Sequence, residues 1–99
     1  MTSNVNAEVK VLFELLLAED WLAKSAIIGR ELALLPHIRA ILRDEARNAL
    51  ERGDGADADI FAAHVSLLDN IERCGLGPVQ AEIVRVMAMR AERAHASDL

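Results

Sequence analysis

The chain is poor in the residues that staple, kink or decorate a small protein. Of its 99 residues one is cysteine, two are proline, five are glycine and three are aromatic, with no tyrosine. A lone cysteine, Cys74, excludes an intrachain disulfide and suits a reducing compartment. Runs of Val, Ile and Thr in strand-type alternation are missing, which argues against a sheet. Three aromatics are too few for the stacking platforms that hold single-stranded nucleic acids. No apolar run is long enough for a membrane span. The most apolar window, VKVLFELLLA, is interrupted by Lys10 and Glu14. The start, MTSNVNAE, lacks the basic and apolar parts of a secretion signal. Positive charge is also short: 11 basic against 16 acidic residues leave a net charge of −5. Such a chain repels phosphate backbones at long range. These absences together point to a soluble, cytoplasmic protein with no membrane partner and little affinity for nucleic acid.

What is present is helix-forming material. Ala, Leu, Glu and Arg dominate. The length fits one domain, 1–99, with 1–6 and 96–99 expected to fray. Asn6 is placed to cap a helix reaching about Ala18. A second runs from about Asp20 to Leu35, either capped by Asp20 or continuous with the first. Pro36 opens a third that stops at Gly53. After the GDGAD loop, Asp57 or Asp59 caps a fourth that runs to Cys74. Pro78 opens a fifth that fades near Ala96. The fold class expected is all-α, a compact bundle of four to five helices with short loops.

Apolar residues make up 53% of the chain. A compact monomer of this mass exposes roughly 5,500 Å² and has little interior to hide them in. A surplus of this kind points to a partner surface, often a second copy of the chain. Helix one carries Val9, Val11, Leu12, Phe13, Leu15, Leu16 and Leu17, which cover roughly 240° of its circumference. It therefore belongs either at the centre of the fold or in a homodimer interface. On helix two, Ser25 and Gly29 lie four apart on the face of Trp21 and Ile28, where another helix can come close.

Three polar residues fall on apolar faces. Glu45 sits among Ile38, Ile41, Leu42 and Ala49. His64 sits among Phe61, Val65, Leu68 and Ile71. Arg90 sits among Ile83, Val86, Met87 and Ala94. Unpaired buried charge is costly, so Glu45, His64 and Arg90 are candidates for one polar network. It would fix register, hold a small anion, or let His64 act as a pH switch. Arg39, Arg43 and Arg47 repeat every four residues on helix three, a row suited to carboxylates of helix neighbours or of a protein partner. Glu92 and His95 have the Glu-x-x-His spacing of carboxylate metal bundles, but it occurs once, so no metal is expected. No phosphate loop, dinucleotide fingerprint or nucleophile elbow is present. No cofactor is expected, and the leaning is away from an enzyme.

Ile71, Gly75, Leu76, Gly77, Ala81 and Val84 have the types and spacing of one known motif, and residues 71–84 resemble a helix-hairpin-helix. The resemblance implies a turn at Gly75, Leu76 and Gly77 whose backbone N–H groups bind a DNA phosphate. Members commonly carry lysine or arginine after the second glycine; here Pro78, Val79 and Gln80 follow. As plain architecture, Gly75 is a left-handed stop and Gly77 an N-cap before Pro78.

The leading reading is a protein-interaction or regulatory module, acting as a homodimer through helix one. The alternatives are a nucleic-acid-binding module using the Gly75–Gly77 turn, and a small helical enzyme or ligand binder using Glu45, His64 and Arg90. Gel mobility separates the first two: the expected result is no shift of duplex DNA even at low salt, and a salt-sensitive shift would select the hairpin.

Overall fold

The computed structural model describes the backbone of residues 3–97 and the side chains of residues 7–94. Among the described residues there are five α-helices and no strand: α1 (Ser3–Leu17), α2 (Trp21–Arg30), α3 (Leu35–Glu51), α4 (Gly55–Cys74) and α5 (Leu76–Ser97). The all-α bundle is as expected. Fraying expected at 1–6 and 96–99 meets helix at 3–6 and 96–97, while 1, 2, 98 and 99 lie outside the described residues.

The helix boundaries follow local chemistry. Asp20 does cap a separate α2, accepting from the Ala23 N–H at 2.8 Å. Helix two ends at Arg30 rather than near Leu35, because one 3₁₀ turn, Leu32–Leu34, bends the chain before Pro36. Pro36 then sits in the first turn of α3, where its missing N–H costs nothing. Gly53, at φ +80°, provides the left-handed stop. The cap of α4 is Asp54, which accepts from Asp57 N–H at 3.0 Å, and not Asp57 or Asp59. Asp54 wins because it is the acid standing directly outside the first turn; the other two are already helical. Helix one begins at Ser3, so Asn6 lies inside it rather than capping it.

Two helices form the frame. α3 and α4 make an antiparallel hairpin along their whole length, welded by Ile38, Leu42, Ala49, Ala58, Leu68 and Ile71, all buried. Arg39 spans the outer edge to Asp69 at 3.2 Å and Glu72 at 2.9 Å. Across this frame lie α1 and α2, which insert Val11, Leu15 and Ile28 into the same core. α1 thus divides its apolar residues. Val11 and Leu15 are buried, while Val9, Phe13 and Leu17 form an outer row four residues apart, with Phe13 59% and Leu17 80% exposed.

The small residues of α2 admit α5. A Cβ added to Gly29 would stand 2.5 Å from Leu76 Cδ2. Ser25 is fully buried and accepts from Gln80 Nε2 at 3.2 Å. Only the first half of α5 is held this way. From Val84 to Ala94, Val86 alone is even half-buried. The exposed area, 6648 Å², is correspondingly larger than the roughly 5,500 Å² of a compact monomer of this mass. Gly29→Val should drive Leu76 from its seat and cost about 1–3 kcal/mol by overpacking, read as a lower urea midpoint.

Candidate functional site

The polar centre of the core is built by α2 and α4. His64, buried, aims Nδ1 at the Ile60 carbonyl at 2.7 Å, so a neutral ring donates from Nδ1. Nε2 is then a buried acceptor, and it has no partner among the described residues. The Trp21 indole covers the ring, with centroids 5.1 Å apart and planes tilted by 53°. Lys24 lies beside them, buried to 7% exposure. Its ammonium donates to the Leu15 carbonyl at 2.7 Å and reaches the Leu16 carbonyl at 3.4 Å. It also sits 5.6 Å from the Trp21 ring centre. The two carbonyls belong to the last turn of α1, which has no further turn to satisfy them and carries the negative end of the helix dipole. A cation is therefore favoured at a place where it would otherwise be expensive.

This cluster differs from the network expected of Glu45, His64 and Arg90. No hydrogen bond or ion pair joins those three among the described residues. Glu45 is half-exposed on α3, and Arg90 is exposed on the distal half of α5. His64 meets Lys24 and Trp21 instead. The helical-wheel argument that selected His64 also picks Lys24 on α2, since Trp21, Lys24, Ser25 and Ile28 share one face; the length of the lysine stem makes it easy to overlook.

Two of the three arginines in the row face α4 carboxylates. Arg39 and Arg43 both reach Asp69, at 3.2 and 3.5 Å, and Arg47 pairs with Asp44 at 2.6 Å. Hydrogen bonding to Glu72, with Asp69 adding attraction, raises the Arg39 guanidinium further above its ordinary value.

The hairpin turn is tighter than its glycines imply. α4 and α5 are joined by Gly75 alone, at φ +93° and ψ 157°, a region open essentially only to glycine. Its N–H is spent on the Ile71 carbonyl at 2.8 Å. α5 begins at Leu76, so Gly77 and Pro78 are helical and not the N-cap and first residue. The Gly75 carbonyl takes the capping role by accepting from the Val79 N–H at 3.4 Å. Leu76, the tip residue, is half-buried against Gly29. Of the turn residues, only Leu76 and Gly77 keep an N–H at the helix start for an outside acceptor.

An apolar concavity lies elsewhere. α4 and α5 diverge from Gly75, and an apolar groove of about 380 Å³ opens between them. Ala63, Ser66, Leu67 and Asn70 form one wall, Val79, Glu82 and Ile83 the other, and Trp21 lies at the base. Cys74 and Pro78 stand at the narrow end. A smaller hollow of about 150 Å³ continues from Trp21 and Ile83 past Val86 and Met87 to Arg90. No residue pattern signals this groove directly, because it depends on where α5 leaves α4. Arg90, picked out for lying on an apolar face, lines its open end.

No triad of metal-ligating side chains occurs among the described residues, and the side chain of His95 lies outside them. No described helix is long and apolar enough to cross a membrane. No family model, curated protein or solved structure matches the chain.

The site has a pH signature. Burial, first, and the neighbouring Lys24 charge lower the His64 pKa, while the Ile60 carbonyl opposes them. In the unfolded chain the ring protonates near its ordinary value of about 6.5. Below that value the unfolded state binds the extra proton, so stability falls with pH until the folded ring also protonates; above it this group contributes no slope. Urea midpoints from pH 7.5 down to pH 5 should therefore decline. His64→Leu removes the unpaired acceptor, should raise stability at pH 7 by about 1 kcal/mol, and should flatten that slope. Unchanged slope in the variant would assign the acid sensitivity to other groups.

Proposed function

We propose that this chain is a non-enzymatic protein-interaction module whose working surface is the groove between α4 and α5. The carrying observation is the groove itself: largely apolar walls, two helices for sides, an indole in its lining, and Glu82 as the charged residue that lines it. Such a trough suits the apolar face of an amphipathic helix, with anchors spaced by three and four residues. It offers little to chemistry. Cys74 stands at the C-terminal end of α4, where the helix dipole disfavours a thiolate. His64 is shielded from the groove by Trp21, so its free nitrogen faces no open site. The exposed row of Val9, Phe13 and Leu17 on α1 is a second apolar surface, flatter than the groove and open on the side expected to form the homodimer interface.

The lone cysteine offers a direct test, since Cys74 is exposed and borders the groove. A benzophenone maleimide attached there and irradiated in the intact protein, alone and in cell extract, should join the chain to a polypeptide. Ala63→Glu, which puts a charge in the apolar wall, should abolish that adduct while leaving helical content unchanged. No polypeptide adduct, or one indifferent to Ala63→Glu, would reject the reading.

A further inference from the structure

The groove and the unsupported half of α5 belong to one continuous surface. Ile83, Val86 and Met87 pass from the groove wall into the exposed distal half of the helix. Val84, Met87 and Met89 are at least 41% exposed there. The helix has 22 residues, about 33 Å, and its own protomer covers only the first few turns. One cation interrupts the apolar seam, Arg90; one anion borders it, Glu82, and both line the hollow that contains Trp21. Each lies four residues from Val86, on opposite sides.

We infer that the occupant of the groove is a second copy of this chain, seated so that the two α5 helices run antiparallel about a two-fold axis near Val86. That arrangement brings Glu82 of each copy to Arg90 of the other, and both ion pairs form at once because the contact is isologous. Each distal half then enters the other copy's trough, covering Met87 together with Ile83 and Trp21. The existing partner of Glu82 is no obstacle. It is Arg85, one helical turn away, which holds the carboxylate at two points but in solvent, where the pair is screened and the carboxylate stays open to a second cation. The α1 row is a weaker seat for a second copy. Val9, Phe13 and Leu17 lie on a single convex helix face rather than in a trough between two helices.

This inference rests on the interaction reading above, and one set of measurements separates the two. Sedimentation equilibrium of the full chain, up to roughly 100 µM, should give twice the 10.8 kDa mass of one copy. Glu82→Arg alone and Arg90→Glu alone place like charges opposite each other twice, and each should weaken the dimer about tenfold or more. An equimolar mixture of the two variants restores both attractive pairs and should recover the dimer, as should the double variant E82R/R90E. Phe13→Glu should leave the mass unchanged. Both charged positions are exposed, so circular dichroism of every variant should match the wild type. A monomeric wild type, charge variants that leave the mass unaltered, singles that the mixture does not rescue, or dissociation by Phe13→Glu would each overturn the inference. A monomer whose Cys74 still crosslinks to a different polypeptide would overturn the second copy and leave the interaction reading standing. A chain that forms no adduct at all would overturn both.

Discussion

The structure turns on a buried ammonium. Lys24 closes the C-terminal end of α1 by donating to the Leu15 carbonyl, and it does so from the first turns of α2. The sharp corner between the two helices leaves the last carbonyls of α1 without helical partners inside the bundle. A charged donor on a flexible stem satisfies them and also meets the negative end of the α1 dipole. The consequences spread outward. The corner fixes the start of α2, which places Trp21 over His64. Burial, with the Lys24 charge adding to it, disfavours protonation of His64, and the neutral ring offers the indole a flat neighbour. Trp21, held from below, becomes the base of the groove.

The opposite half of the molecule is governed by a missing contact. A single glycine joins α4 to α5, and Leu76 wedges into the space left by Gly29. With that end pinned, the two helices separate beyond Ile83, and α5 continues with its apolar residues uncovered. An arginine on an apolar helix face would be unfavourable inside a monomer core. On a surface that awaits another helix, the same residue remains hydrated until a carboxylate arrives. The proposed pairing with Glu82 therefore gives a physical reason for Arg90 that the isolated chain does not.

Much of the fold was legible because its causes are local. Asp20, Pro36, Gly53 and Gly75 mark real boundaries, since capping, a locked φ and left-handed backbone are decided within a few residues. The errors were of one or two turns and have a common source. Where several acids or glycines stand together, as in GDGAD or CGLGP, any of them suits the cap, and the packing of the flanking helices chooses. Leu76 had to reach Gly29, so α5 begins at Leu76 rather than Pro78. Of the three polar residues expected on apolar faces, His64 is buried, Glu45 is half-exposed and Arg90 is exposed. His64 was expected to meet Glu45 and Arg90; it meets Trp21, with the Lys24 charge near enough to act on it, because the crossing of α2 over α4 puts those side chains together.

The amino-acid order was sufficient for helix class, for several of the helix breaks and for the close approach at Ser25 and Gly29, while leaving α1 and α2 as one helix or two, because hydrogen bonds four residues apart and side-chain volume do not depend on the rest of the fold. It left open which of the two apolar rows of α1 would be buried, which polar groups would share the core, and where a groove would form. Those outcomes belong to the tertiary structure. Each depends on how helices distant in sequence cross, and helical periodicity places a residue on a face without saying what that face will meet.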